Sequence, residues 1–328
     1  MLYYLSLLRY EFFPLNIFKY ITFRASMAAV TTFLICVVVG PWLIRKLREW
    51  NLGEKPVLGA RQEMLGADLT AKTGTPTMGG ILIIGSILVS VFLWADLRNP
   101  YILLTILTTV WLALLGFFDD YVKLKGICKS GLPARTKMIW QVLLAAIVSF
   151  YLYTQLHIAT TLDVPFLKDL MIDLGAFYML FVMLIVVGTS NAVNLTDGLD
   201  GLAIGCTLMV ATTLGILCYV TGNINMSSYL LIPYIPETGE LAVYCAAMIG
   251  ASLGFLWFNA HPADIFMGDV GALSIGGTLG IIAVFIKKEL LLVILGGVFV
   301  WEALSVIIQV VSYKLRGKRI FLCSPYHH

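Results

Sequence analysis

Adjacent carboxylates close an apolar stretch at Leu115-Gly116-Phe117-Phe118-Asp119-Asp120-Tyr121. Successive helical residues point about 100° apart, so both acids serve one site only if it lies over the helix end. Two carboxylates sharing a place either bind a divalent cation or push their pKa values apart for acid–base work. A plain alternative carries equal weight from these two residues alone: acids commonly mark the water boundary of an apolar helix. Negative charge at a helix C-terminus opposes the macrodipole, however, so a cationic partner is expected.

Three further segments carry unusual polar residues. Asn194-Leu195-Thr196-Asp197-Gly198-Leu199-Asp200-Gly201 sets two aspartates three apart, each followed by glycine. Such a backbone presents oxygens and amides to a small polar ligand, or is turn chemistry in which Asp200 caps the next helix. Asn259-Ala260-His261-Pro262-Ala263-Asp264-Ile265-Phe266-Met267-Gly268-Asp269-Val270-Gly271 places Asp269 between glycines, suited to metal coordination at a helix start. There Asn259 offers an amide to a base edge and Phe266 a face for stacking, although an aromatic also belongs at a membrane interface; His261 reads as a surface residue. Lys72-Thr73-Gly74-Thr75-Pro76-Thr77-Met78-Gly79-Gly80 lacks the P-loop order but sets a lysine before a helix N-terminus, where a phosphate is favoured. Among the basic residues of 119–137, Lys137 at the entry to the next helix stands apart from simple topology-setting charge. The C-terminal stretch ends Ser324-Pro325-Tyr326-His327-His328, read as native rather than a tag, and Glu302 lies inside an apolar run where it needs a polar partner or a bend. No His-Glu-x-x-His, nucleophile elbow or dinucleotide glycine fingerprint occurs.

The elements that must position these residues are membrane helices. Of 328 residues 59 % are hydrophobic and only 12 % charged, with a mean hydropathy of +0.91, against roughly 25 % charged in soluble domains. Runs long enough to span occur near 23–44, 77–95, 101–118, 138–157, 176–193, 202–221, 241–258, 272–286 and 290–312. The fold class expected is therefore all-α, a single polytopic membrane domain over 1–328 with about nine spanning helices and no tandem repeat. Fifteen of the 22 Lys and Arg fall in 45–76, 119–137 and 313–328, which marks those segments as cytoplasmic and the N-terminus as external. By that parity Lys72, Asp119-Asp120, the 194–201 and 259–271 loops and the histidine pair all lie on one cytosolic face. A net charge of +3 without an arginine-rich tract gives no reason to expect a nucleic-acid partner. Six scattered cysteines without C-x-x-C make a disulfide or zinc framework unexpected.

Together these segments resemble the phospho-N-acetylmuramoyl-pentapeptide transferases of bacterial peptidoglycan synthesis, from about Thr22 to His328. The resemblance rests on Gly74-Thr75-Pro76-Thr77-Met78-Gly79-Gly80, Phe118-Asp119-Asp120-Tyr121, Asn191 through Gly201, Phe266 through Gly271 and Lys314 through Phe321. It implies transfer of phospho-MurNAc-pentapeptide from UDP-MurNAc-pentapeptide to undecaprenyl phosphate, giving lipid I and UMP with Mg²⁺, at the bacterial cytoplasmic membrane. By the same resemblance Asp269 binds the metal, Asp119 and Asp120 are catalytic, and Lys72, Lys137, Asn194, Asp197, His327 and His328 join them. The implied uridine pocket is Lys72, Gly198, Leu199, Asp200, Asn259 and Phe266. The family is dimeric, with a cytosolic cleft and a lipid groove beside a bent ninth helix. Its members continue beyond this motif with a third histidine, an acidic residue and a tenth helix, whereas this sequence ends at His328. The reading of the residues and the resemblance meet on direct attack by the lipid phosphate, Asp119 assisting and Asp269 holding the metal; a covalent phosphosugar on Asp269 is the rival. A sister enzyme transferring GlcNAc-1-phosphate shares the aspartate loops. An ion or solute transporter is the reading from another class, supported only by Glu302.

Overall fold

A computed structural model describes residues 1–10, 13–50, 75–126, 128, 131–156, 158–165, 167 and 171–326. Lys72, His327 and His328 lie outside the described residues. The helices are α1 (Ile21–Glu49), α2 (Gly80–Trp94), α3 (Pro100–Leu124), α4 (Ala134–Thr154), α5 (Phe177–Thr196), α6 (Leu202–Thr221), α7 (Ile224–Leu230), α8 (Leu241–Asn259), α9 (Gly268–Phe285), α10 (Glu289–Leu295) and α11 (Gly297–Arg316). The protein is an all-α polytopic membrane protein. A short antiparallel pair, β1 (Thr161–Asp163) with β2 (Met171–Asp173), joins α4 to α5 in the register Thr161↔Asp173.

Every apolar run expected from the sequence is helical, with two corrections to the count of nine. Eight described helices are long and apolar enough to cross a membrane. The second run forms α2, whose 15 residues rise only about 22 Å against a hydrocarbon core of about 30 Å. The ninth run is broken at Gly296 into α10 and α11, so its spanning part begins at Gly297.

Local chemistry sets the helix ends. Pro100 opens α3 at a position where its missing N–H costs nothing, and the Asn99 side chain accepts from the amides of Tyr101 (2.8 Å) and Ile102 (3.3 Å). The middle of the bundle is α9, packed against α3 and α5. Buried residues make up 89 % of its span, against 22 % for α11, so α9 is the axis and α11 the periphery. Its small residues, Gly271, Ala272, Ser274, Gly276, Gly277 and Gly280, admit neighbouring backbones closely. The closest approach that bears on chemistry is at Gly116 of α3. A Cβ there would lie 2.3 Å from the Asp269 carbonyl oxygen, so glycine alone lets the end of α3 meet the start of α9.

Hydroxyls and amides buried in the bundle pair across helices, as a low-dielectric interior requires. Thr109 joins Tyr244 (2.6 Å) and Thr278 (2.7 Å). Nearer the Asp269 end, Gln141 donates to Ser190 (3.2 Å) and accepts from Asn191 (2.8 Å), while Ser190 donates to the Leu273 carbonyl (3.0 Å). That chain fastens α4, α5 and α9 one turn below Lys137.

Candidate active site

Three carboxylates meet where α3 ends and α9 begins. Asp119 is 0 % and Asp120 4 % exposed, and Asp269 sits in the first turn of α9, where negative charge is favoured by the macrodipole. Donor oxygens of Asp119, Asp120 and Asp269 all lie within 4.8 Å of one another. The cation expected beside the acidic pair is present twice. Lys123, one turn beyond Asp119 on α3, reaches Asp119 at 2.6 Å, Asp269 at 3.1 Å and Asp120 at 3.8 Å. Lys137, from the first turn of α4, reaches both Asp119 and Asp269 at 2.8 Å.

The three acids are held differently. Asp119 accepts the Leu132 amide at 2.7 Å on one oxygen and both ammonium groups on the other. It therefore anchors the lysines and the 131–133 turn. Asp120 accepts the Val270 amide at 3.3 Å. Because α9 has no side-chain cap from its own N-cap residue, Asp120 satisfies one of its unpaired amides from another helix. Gly268 makes room for that contact: its φ is +72°, and a Cβ would lie 2.7 Å from Asp120 Oδ2. Asp269 is the most accessible of the three, its side chain 14 % exposed.

The Thr75–Gly80 segment serves this site through its backbone. Phe266 donates its amide to the Pro76 carbonyl (2.9 Å), and Gly79 and Gly80 donate to the carbonyls of Phe266 and Met267 (both 2.8 Å). The amides at the start of α2 that the sequence reading offered to a phosphate are thus used to fix the loop preceding Asp269.

A sequence profile described as glycosyl transferase family 4 matches residues 102–287. Proteins named phospho-N-acetylmuramoyl-pentapeptide-transferase, from Citrifermentans bemidjiense and Geobacter sp. strain M21, are 53 % and 54 % identical over 316 residues, 95 % of this chain and 86 % of theirs. One from Pelobacter propionicus is 52 % identical over 313 residues, with the same coverage. The chain belongs to the phospho-N-acetylmuramoyl-pentapeptide transferase family.

In this transferase two loops expected to hold the nucleotide are joined by Asn259. Its side chain accepts the Gly201 amide at 3.0 Å and donates to the Ile265 carbonyl at 2.9 Å, so both ends of the amide engage main chain. Asp200 does not cap α6, whose N-cap is Gly201 without a side-chain bond. It reaches across instead, accepting from the Ala263 amide at 3.3 Å and contacting His261 Nδ1 at 3.0 Å. Gly198, Leu199, Asp200, Asn259 and Phe266 are thereby brought onto two linked loops, with Leu199 43 % exposed. Asn194 lies in the last turn of α5 and Asp197 at its C-terminal boundary, both half-buried.

The fold also brings to the acids, or just below them, residues that the sequence reading did not single out. Lys123 contacts all three acids, and its spacing of three and four from Asp120 and Asp119 is the helical neighbour spacing that could have exposed it. Gln141 and Asn191 carried no comparable signal, since only folding shows that they pair.

Proposed function

We propose that this chain transfers phospho-MurNAc-pentapeptide from UDP-MurNAc-pentapeptide to undecaprenyl phosphate, releasing UMP and forming lipid I. The observation that carries the reading is the Asp119–Asp120–Asp269 cluster with Lys123 and Lys137 at the tip of the central helix, beside two loops tied by Asn259. A phosphate oxygen of the lipid attacks the sugar-side phosphorus. The bond from that phosphorus to the UMP oxygen breaks, and the leaving UMP takes the electron pair.

Three carboxylate oxygens suit a hard divalent cation, and they outnumber the two ammonium groups around them. Asp269 would hold Mg²⁺, with Asp119 and Asp120 within reach, and the ion would supply neutralisation of the charge developing on the pyrophosphate. Lys137 and Lys123 add fixed positive charge in a water-poor site. Asp119 assists by fixing those ammonium groups, because its own oxygens are already engaged. Asn194, Asp197, Lys72 and the pair His327 and His328 complete the catalytic set on this reading, and Lys72 completes the uridine pocket. The basic bias of 45–76, 119–137 and 313–328 supports a cytosolic active site in the bacterial cytoplasmic membrane. A homodimer is the assembly proposed, to be checked by the mass of the detergent-solubilised protein.

UMP release from UDP-MurNAc-pentapeptide, with undecaprenyl phosphate and Mg²⁺, tests the proposal. Release should need lipid and metal and should disappear in Asp269→Ala. Turnover of UDP-GlcNAc in its place would move the protein to the sister activity. A phosphosugar adduct isolated on Asp269 would replace direct attack by a covalent route.

A further inference from the structure

Lys137 lies in the first turn of α4, and the half of that helix which carries it has little apolar anchoring. Among residues 134–143 only Gln141 is buried, at 1 % exposed, whereas Met138, Ile139, Trp140, Val142 and Leu143 are exposed apolar side chains. The packing that buries Leu144, Ala145, Val148 and Leu152 begins three residues later. Few groups therefore decide how α4 is rotated at its N-terminal end. One is Trp111, which donates to the Trp140 carbonyl at 3.2 Å and holds the main chain of α4 against α3. Another is Gln141.

Gln141 follows Lys137 by four residues, so the two share a helix face. Its amide nitrogen donates to Ser190 Oγ at 3.2 Å, and Ser190 donates in turn to the Leu273 carbonyl at 3.0 Å. Leu273 follows Asp269 by four residues on α9. The bridge thus joins α4 to α9 one turn beyond the 2.8 Å contact of Lys137 with Asp269. Glycine lets α5 carry Ser190 this close to α9, because a Cβ on Gly276 would lie 2.5 Å from the Thr189 carbonyl oxygen. Asn191 holds the other end of the Gln141 amide, donating to its oxygen at 2.8 Å and also to the Val187 carbonyl at 2.8 Å. With donor and acceptor both engaged, the orientation of this amide is determined.

We propose that Gln141 is a positioning residue that acts through Lys137. Its amide, gripped by Ser190 and Asn191, sets the rotation of α4 at which the Lys137 ammonium falls between Asp119 and Asp269. A lysine side chain is long and flexible, and an ammonium stabilises developing charge best when it is held in place beforehand. This rests on the function proposed above, and within it on the contacts of Lys137 with the two acids.

Gln141→Met separates positioning from packing. Methionine is unbranched and fills irregular space, but it makes neither hydrogen bond. Asn191 keeps its bond to Val187 and Ser190 its bond to Leu273, so the variant strands no partner. In the full chain in detergent, trace acetylation of lysines by acetic anhydride is followed by mass spectrometry of each peptide, beside UMP-release kinetics. Gln141→Met should speed Lys137 acetylation and lower kcat, each by about tenfold, the scale of one or two neutral hydrogen bonds. Lys287, 6 % exposed just past the opposite end of α9, should be acetylated as slowly as in wild type. KM for the nucleotide sugar should stay within about twofold, since uniform binding is untouched. In a Lys137→Gln background, Gln141→Met should lower kcat by less than about twofold, because residues acting as one unit do not add. Unchanged Lys137 acetylation overturns the proposal, and so does a rise shared by Lys287, which would mean general loosening. Faster Lys137 acetylation with unaltered kcat overturns the link to the reaction. A full further tenfold loss in the Lys137→Gln background overturns action through Lys137. Absence of any turnover by the wild-type chain would count against the transfer reaction itself, and acetylation would still decide whether Gln141 places Lys137.

Discussion

The central helix α9 carries a cluster of opposite charges at each end, and the two clusters are built differently. At the N-terminal end Asp119, Asp120 and Asp269 face Lys123 and Lys137. At the C-terminal end Lys287 pairs with Glu289 at 3.2 Å and Lys288 pairs with Asp163, while Tyr178 donates to Glu289. Both ends obey the macrodipole, acid at the start and bases past the finish. The second cluster is balanced, two ammonium groups against two carboxylates, and Lys287 also donates to the Ala159 carbonyl and stacks 3.9 Å from the Tyr178 ring centroid. It closes the corner between α9 and α10 onto the β1–β2 pair. The first cluster sets three carboxyl groups against two ammonium groups, and Asp269 keeps part of its side chain exposed. Groups paired one to one fasten the bundle, and a carboxyl group beyond the pairs is available to a ligand.

The largest effect that would test this contrast is at Asp269. Asp269→Asn should lower kcat/KM by at least about 1,000-fold, through loss of its lysine contacts and of the metal it is proposed to hold, as read by UMP release. At the opposite end Glu289→Gln should leave kcat within about threefold yet cost about 3 kcal/mol of stability, because it strands a buried ammonium. Thermal unfolding in detergent measures the second outcome. A Glu289→Gln protein that is stable but inactive would erase the distinction between the two ends. Next in size, Lys137→Gln should lower kcat about 100-fold, the scale for removing one fixed electrostatic contact. KM should change little if the contact matters mainly in the transition state. An equal rise in KM with unaltered kcat would make Lys137 a ground-state binding group instead. Smaller again, Asp163→Asn should cost no more than about 1 kcal/mol, since its pair with Lys288 is part-exposed.

What could be read from the sequence follows what local physics dictates. Hydropathy places the spanning helices, though not the short α7, because an apolar run in lipid has few other solutions, and the cations beside the acids at the end of α3 are expected because two adjacent acids there demand compensation. Lys123 escapes notice because a lysine just past an apolar run is explained equally well by topology. The residues of the ninth run do not mark the break at Gly296, which only the resemblance foreshadowed as a bent helix, and α2 begins late, where the Gly79 and Gly80 amides donate to the Phe266 and Met267 carbonyls. Asn259 and Asp200 show the deeper limit. Their residue types suggest ligand contact or capping, while their partners, Gly201, Ile265 and Ala263, become neighbours only after α5, α6 and α8 have packed. Glu302 is visible as a buried charge needing a partner, but one partner is the Tyr326 backbone amide, which no pattern of residue types can name.

The smallest effect concerns the balanced end and its dependence on pH. Burial draws the Lys287 ammonium below the ordinary lysine range, and the Glu289 carboxylate only partly offsets this. The folded protein therefore holds this proton less tightly than the unfolded chain does. Where the two states differ, the unfolded chain binds more protons, so stability rises as the solution is made alkaline. The window opens at the depressed folded value and closes near the unfolded lysine value of about 10.4. Other lysines and tyrosines titrate in the same range, so the comparison that isolates this one is wild type against Lys287→Met. The difference in Tm, wild type minus variant, should increase between pH 8 and 10.5 and then level. A flat difference would mean that Glu289 and Tyr178 compensate the burial fully. In that case the corner beyond α9 would gain stability from its charges themselves, and not from the packing that surrounds them.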